Sequence, residues 1–159
     1  MNKKINNFLL LAAFCLVTFS TACTKKSSDT VTTSNPGSMT AALSGANFNS
    51  QKCTFLPIGG PNGINIMGYN GDYLNKTYPI ISFTITGYNG VGSYNWTSPN
   101  YGAAVLVTGA YYPNAASKGN EITGAAISIT SASPDVVGTF TLNLDEGAIA
   151  IGKFTATAL

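Results

Sequence analysis

Few side chains in this sequence are equipped for chemistry. Beyond residue 37 the acids are Asp72, Glu121, Asp135, Asp145 and Glu146, and the one thiol is Cys53. His is absent and all eight basic residues are Lys. Without His, neither a Ser-His-Asp nor a Cys-His pair can be assembled. Without Arg there is no bidentate clamp for phosphate or carboxylate. A single soft ligand is too few for a zinc site, and Asn70 with Asp72 lacks the spacing of a calcium-binding loop. No metal and no cofactor is therefore expected. Gly87-Tyr88-Asn89-Gly90-Val91-Gly92 has the wrong order of glycines for a phosphate loop and no helix after it, so it reads as a hairpin loop. Two carboxylates would suffice for glycoside hydrolysis, but the acids fall mostly at turns, where solvated residues are usual. A hydrolase is the least favoured reading, and no catalytic residue is assigned.

The aromatic residues are the positive signal. All eight Tyr and the single Trp fall between Tyr69 and Tyr112, whereas Phe is spread along the chain. Tyr and Trp join a flat apolar face to a polar edge, which suits stacking on a sugar ring or a peptide. Tyr88, Tyr94, Trp96 and Tyr101 lie in or beside a Gly/Asn-rich stretch, Gly87 to Asn100, read as a long loop. These four are the candidate ligand contacts. The competing reading packs them over the sheet ends with their hydroxyls in water.

The elements that must position them follow a period of two from Ser38 onward. Met39, Ala41 and Leu43 alternate with polar or small residues in a first strand. Phe48 to Leu56 is irregular, with a strand around Cys53, and Cys53 itself reads as a small buried hydrophobe. A lone cysteine makes no intrachain disulfide. Gly59 to Gly63 reads as a loop, and Asn70-Gly71 predicts a type I′ hairpin turn. Ile81, Phe83 and Ile85 define a half-buried strand, and Ala103–Val107, apolar on both faces, a central one. Ile127 and Ile129 mark the next, which stops at Pro134. Val136, Phe140, Leu142 and Leu144 share one face of a strand that turns at Asp145-Glu146-Gly147. In the return strand Ile149 and Ile151 take one phase and Phe154, Ala156 and Ala158 the other, which predicts a bulge at Gly152. No stretch of this region holds helical apolar spacing over three turns. The expected class is all-β, an antiparallel sandwich or partly closed barrel of about eight strands.

Ahead of this domain stands MNKKINNFLLLAAFCLVTFSTAC. Lys3 and Lys4 form a basic start, Phe8 to Phe19 an apolar core of about 12 residues, shorter than the about 20 a membrane-spanning helix needs. Small residues then run to Ala22-Cys23. The pattern resembles the lipobox of bacterial lipoproteins, with Ser20 where that family usually has Leu. The resemblance implies cleavage before Cys23 and acylation of its sulfur and new amino group. An ordinary signal peptide that happens to end at a cysteine is the alternative. The expected organisation is a lipoprotein signal peptide at 1–22, a lipid-anchored flexible linker at 23–37 and a β-domain at 38–159. The linker is rich in Ser and Thr, with Pro36-Gly37 at its end. Within it Asp29-Thr30-Val31 matches the short acceptor pattern for O-glycosylation in Bacteroidota, which makes Thr30 a candidate.

Charged residues are 9% of the chain, against about 25% in ordinary soluble proteins. With Lys3 and Lys4 removed, the remaining Lys and acids balance, so nucleic acid is not an expected partner. GSMTAALSGANF, GAAISITSAS, VVGTFTLNL and GKFTATAL, in that order, resemble the small uncharacterised single-domain lipoproteins of Bacteroidota. Phe48 takes the place of the aromatic near the start of their second strand. The resemblance implies an antiparallel β-domain held at the cell envelope, most readily the outer membrane with the leaflet open, and it transfers no activity. The reading is a non-catalytic binding or accessory domain for a glycan or an envelope protein, in contact with the membrane through its N-terminal lipid. The alternative is a structural envelope component that acts by self-association.

Overall fold

The computed structural model describes residues 37–59 and 62–159. Cys23 and Thr30 lie outside the described residues. The fold is all-β, a closed seven-stranded barrel with extra strands. The ten strands are β1 (Ser38–Leu43), β2 (Ala46–Ser50), β3 (Lys52–Pro57), β4 (Gly63–Asp72), β5 (Asn75–Thr86), β6 (Gly92–Thr97), β7 (Leu106–Tyr112), β8 (Asn120–Ala132), β9 (Val136–Leu144) and β10 (Ile149–Ala158).

Two walls make up the fold, the barrel strands and the extra ones together. The first runs β2-β1-β10-β9-β8-β6, and the second β3-β4-β5-β7. They join at two corners. At one, the end of β10 pairs in parallel with β3 through Thr157 and Ala158 opposite Thr54 and Phe55. At the other, the start of β8 pairs with β7 through Asn120 and Glu121. All pairings but β10–β3 are antiparallel. β8 and β10 thus serve both walls, which their length of 13 and 10 residues allows. The sheet closes on itself, and among the described residues β2 and β6 are the two strands with a single partner.

A bulge adds a residue and re-aims the strand. β8 carries two such irregularities against β9, at Thr123 and Thr130. Each threonine turns its hydroxyl to a β9 carbonyl, of Asn143 and Val137 respectively, at 3.3 Å. Across Thr123 the buried phase moves from Ile122 to Ala125, Ile127 and Ile129. The bulge expected at Gly152 is absent: β10 keeps continuous register with both β9 and β1. Its inner phase is Ala150, Gly152, Phe154 and Ala156, while Ile149 and Ile151 face outward, Ile151 at 58% exposure. Gly152 is needed for another reason. A Cβ there would meet the Thr40 carbonyl and lie 2.6 Å from Phe140 Cζ.

That contact belongs to the centre of the barrel. Phe83 from one wall meets Phe140 and Phe154 from the other at ring-centroid distances of 5.6 and 5.9 Å. Such tilted and edge-on pairs add to the burial of their area. The expected phase of β9 is found, with Val136, Phe140, Leu142 and Leu144 buried. Its turn is found too, with Glu146 and Gly147 both at positive φ. Cys53 is fully buried and free, and burial pushes its thiol far above the ordinary range.

Two further expectations are corrected. Asn70-Gly71 is not the turn of the β4–β5 hairpin, because both residues still pair, with Thr77 and Lys76, and the chain reverses at Tyr73-Leu74. Asn70 is instead engaged at a distance, its Oδ1 accepting the Gln51 N–H at 2.7 Å. Residues 103–105 precede β7, which runs from Leu106 to Tyr112, so the apolar run is only partly strand. The strand expected around Cys53 is present as β3, and ahead of it Phe48 lies in the core on a further strand, β2.

Candidate functional site

The stretch 87–100 is not one long loop, because it contains β6. Alternation along β6 sends Ser93, Asn95 and Thr97 outward and Tyr94 and Trp96 inward, opposite Ile127 and Ala125 of β8. Tyr94 is 2% exposed and Trp96 7%. Their polar edges are satisfied locally, as buried polar groups must be. The Tyr94 hydroxyl lies 2.6 Å from the Gly90 carbonyl and 3.0 Å from Asn89 Oδ1, and accepts the Asn89 N–H at 3.1 Å. Trp96 Nε1–H donates to the Asn100 carbonyl at 3.2 Å. Both are core side chains. Tyr88 stacks on Tyr94 at 5.7 Å, half-buried, with its phenol pushed up by burial and by Tyr94. Tyr101 alone projects, at 73% exposure. The four residues singled out by sequence therefore form no common surface.

A different set of aromatics does. β5 has Ile81, Phe83 and Ile85 in the core, so its alternate residues Lys76, Tyr78, Ile80, Ser82 and Thr84 lie on the outer side. These five positions run about 26 Å at ~3.3 Å per residue. β4 flanks them with Asn65 and Met67, and β7 with Thr108 and Tyr112, to form a groove of about 280 Å³. That is close to the lower end of the about 300–1,000 Å³ typical of small-molecule sites. Tyr78 is 40% exposed and Tyr112 half-buried. Gly119 makes room behind Tyr112: a Cβ there would lie 2.6 Å from its ring.

The polar part of the groove is held in place. Asn65 Nδ2 donates to Thr84 Oγ1 at 3.0 Å and to Ser82 Oγ and the Phe83 carbonyl at 3.3 Å. That leaves the Asn65 carbonyl oxygen and the two hydroxyl protons for a ligand. At the other end the Lys76 ammonium donates to the Tyr73 carbonyl at 2.6 Å and sits 4.1 Å from the centre of the Tyr73 ring. A cation over an aromatic face is attracted by the ring quadrupole, so the lysine is positioned by its own hairpin.

No carboxylate lines this groove. Asp72 closes the β4 end and pairs with Lys52 at 2.9 Å, the only ion pair among the described residues. Glu121 is at the start of β8, Asp135 in the β8–β9 turn, and Asp145 and Glu146 in the β9–β10 turn. Asp145 Oδ1 is buried without a hydrogen-bond partner, and nothing around it explains this. Among the described residues no group of three or more His, Cys, Asp or Glu side chains converges. The outer surface of the other wall carries three indentations of about 490, 350 and 420 Å³, lined mainly by Thr, Ser and Asn with Ile151 and Lys153.

Sequence reasoning missed Tyr78, Tyr112, Asn65 and Lys76. The signal was present in β5, where Tyr78 and Ile80 put apolar bulk on the phase opposite to the core residues Ile81, Phe83 and Ile85. Comparison with family models, with curated proteins and with solved structures finds no match for this chain.

Proposed function

We propose that this protein is a lipoprotein of the bacterial cell envelope whose β-domain is a non-catalytic binding or accessory module. The lipobox-like end of the leader at Cys23 and the resemblance to the small lipoproteins of Bacteroidota support the anchor. The observation that carries the binding role is the outer groove of β5, where exposed Tyr78 and half-buried Tyr112 flank a preset Asn65–Ser82–Thr84 hydrogen-bond cluster. Aromatic surface beside fixed polar groups is the usual make-up of a ligand site. Its ligand is a glycan or another envelope component.

Two experiments test the two halves of this reading. Cys23→Ser should release the protein from the membrane fraction, since one acyl chain gives only reversible attachment and several make it effectively permanent. Retention of that variant in the membrane would defeat the anchor. A glycan array and an envelope pull-down should detect a ligand that is lost on Tyr78→Ala with Tyr112→Ala. Unchanged capture by this double variant would defeat the groove.

A second reading, self-association, is favoured by the edges. β2 (ANFNS) and β6 (GSYNWT) contain neither charge nor Pro, the devices that ordinarily keep strand edges from pairing. Concentration-dependent oligomers that survive the two tyrosine substitutions, and are lost on Asn47→Lys or Asn95→Lys, would support it.

A further inference from the structure

We propose that the β5 groove takes an extended oligosaccharide carrying an acidic sugar, with the sugar carboxylate at Lys76 and neutral rings along Tyr78 and Tyr112. This rests on the binding role argued above and names its ligand class. Three features lead there.

The groove lies on the face of β5, and from Ile80 to Thr84 it is away from any free edge. From Ile80 to Thr86 β5 is paired on both sides, with β4 and with β7, whereas Asn75–Pro79 has β4 alone beside it. An extended peptide gains much of its affinity by adding a strand to an open edge; from Ile80 to Thr84 no edge is open to it, and the short one-sided stretch before it ends in Pro79, which has no N–H to donate. Recognition must come from side chains. Hydroxyls, one amide and tyrosine rings are what a sugar, with its apolar ring face and hydroxyl rim, can use.

The groove is elongated. Its line from Lys76 to Thr84 follows five alternate positions of a single strand, longer than one sugar ring. A chain of sugars fits this shape better than a compact metabolite.

Its charge is one-sided. Lys76 is the single charged residue in the lining and has no carboxylate partner among the described residues. Its bond to the Tyr73 carbonyl uses one of the three ammonium donors. Two donors remain, on a group already held in place, so little ordering is needed to bind an anion. A hydrogen bond to a charged group is stronger than a neutral one, so a sugar carboxylate here distinguishes acidic from neutral chains.

The test is titration of the full chain with oligogalacturonates and with neutral oligosaccharides of matched length, at low and high salt. The acidic chains should bind, and more weakly as salt rises. Lys76→Gln should weaken them about tenfold or more while leaving any neutral binding unchanged, and Lys76→Arg should restore most of the loss. Thermal unfolding of each variant shows that it is folded. Equal binding of neutral chains that Lys76→Gln leaves intact and Tyr112→Ala abolishes would overturn the acidic class but keep a binding groove. Capture of an envelope protein that is lost with Tyr112→Ala, without glycan binding, would overturn the sugar and keep the binding role. No ligand of any kind at the groove would overturn both.

Discussion

Tyr94 and Trp96 on β6, and Tyr78 on β5 with Tyr112 on β7, are the same kinds of residue in the same kind of strand, yet they have opposite fates. The first two point into the barrel and end their polar edges on carbonyls of their own loop, Gly90 and Asn100. The second two point out along a groove, Tyr78 exposed and Tyr112 half-buried. What separates them is the phase of each strand relative to the core. β6 turns its aromatic phase onto Ile127 and Ala125, whereas β5 spends its core phase on Ile81, Phe83 and Ile85. An aromatic cluster in sequence is therefore not a surface cluster.

The largest effect should come from the inner pair. Trp96→Ala should cost about 3–5 kcal/mol of stability, as truncating a buried large aromatic does, read by chemical denaturation. A loss under about 1 kcal/mol would place Trp96 at the surface and break the contrast. Gly152→Ala comes next, at about 1–3 kcal/mol or more, because its methyl overlaps the Thr40 carbonyl and the Phe140 ring. A neutral result would mean the wall yields there. Tyr94→Phe should lose about 1–2 kcal/mol, since it strips a partner from the Asn89 N–H and the Gly90 carbonyl.

On the outer face the order reverses, with function moving and stability not. Tyr78→Ala should change stability by less than about 1 kcal/mol, the range of surface substitutions, and still abolish ligand capture. The smallest effect at neutral pH belongs to Cys53. Its thiol is raised in the folded state by burial, so the folded chain holds the proton where the unfolded chain, near the ordinary about 8.5, releases it. The associated stability is complete below that pH and falls as pH rises above it. Cys53→Ala should remove this part of the alkaline decline. Native Cys53 should also resist thiol reagents at pH 8, and rapid labelling would show that the core opens.

Much of the fold was legible where one strand carries its whole pattern. β9 shows strict alternation from Val136 to Leu144, and the Asp145-Glu146-Gly147 turn follows it directly. Legibility failed where a residue answers to a distant one. Asn70 looked like half of a turn but is held by Gln51. Gly152 looked like a bulge but is small because Phe140 and Thr40 press on it from neighbouring strands. Ile149 and Ile151 looked like core and face outward. β6 was hidden because Gly and Asn surround it and its outward residues are as polar as a loop.

The candidate site shows the same limit. The sequence by itself determined an all-β chain, a nearly uncharged surface, no histidine or arginine for the commonest catalytic and anion-clamping roles, and the residues that alternate within each strand. Those follow from composition and from the two-residue period of an extended backbone, both local. Only the tertiary structure decided which phase of each strand faces inward, how β8 and β10 close the barrel by serving both walls, and that Tyr78 and Tyr112, from strands adjacent in space, flank one groove. The reason is that alternation separates two faces without naming them. Naming the inner face takes the partner strands, and those come from far along the chain.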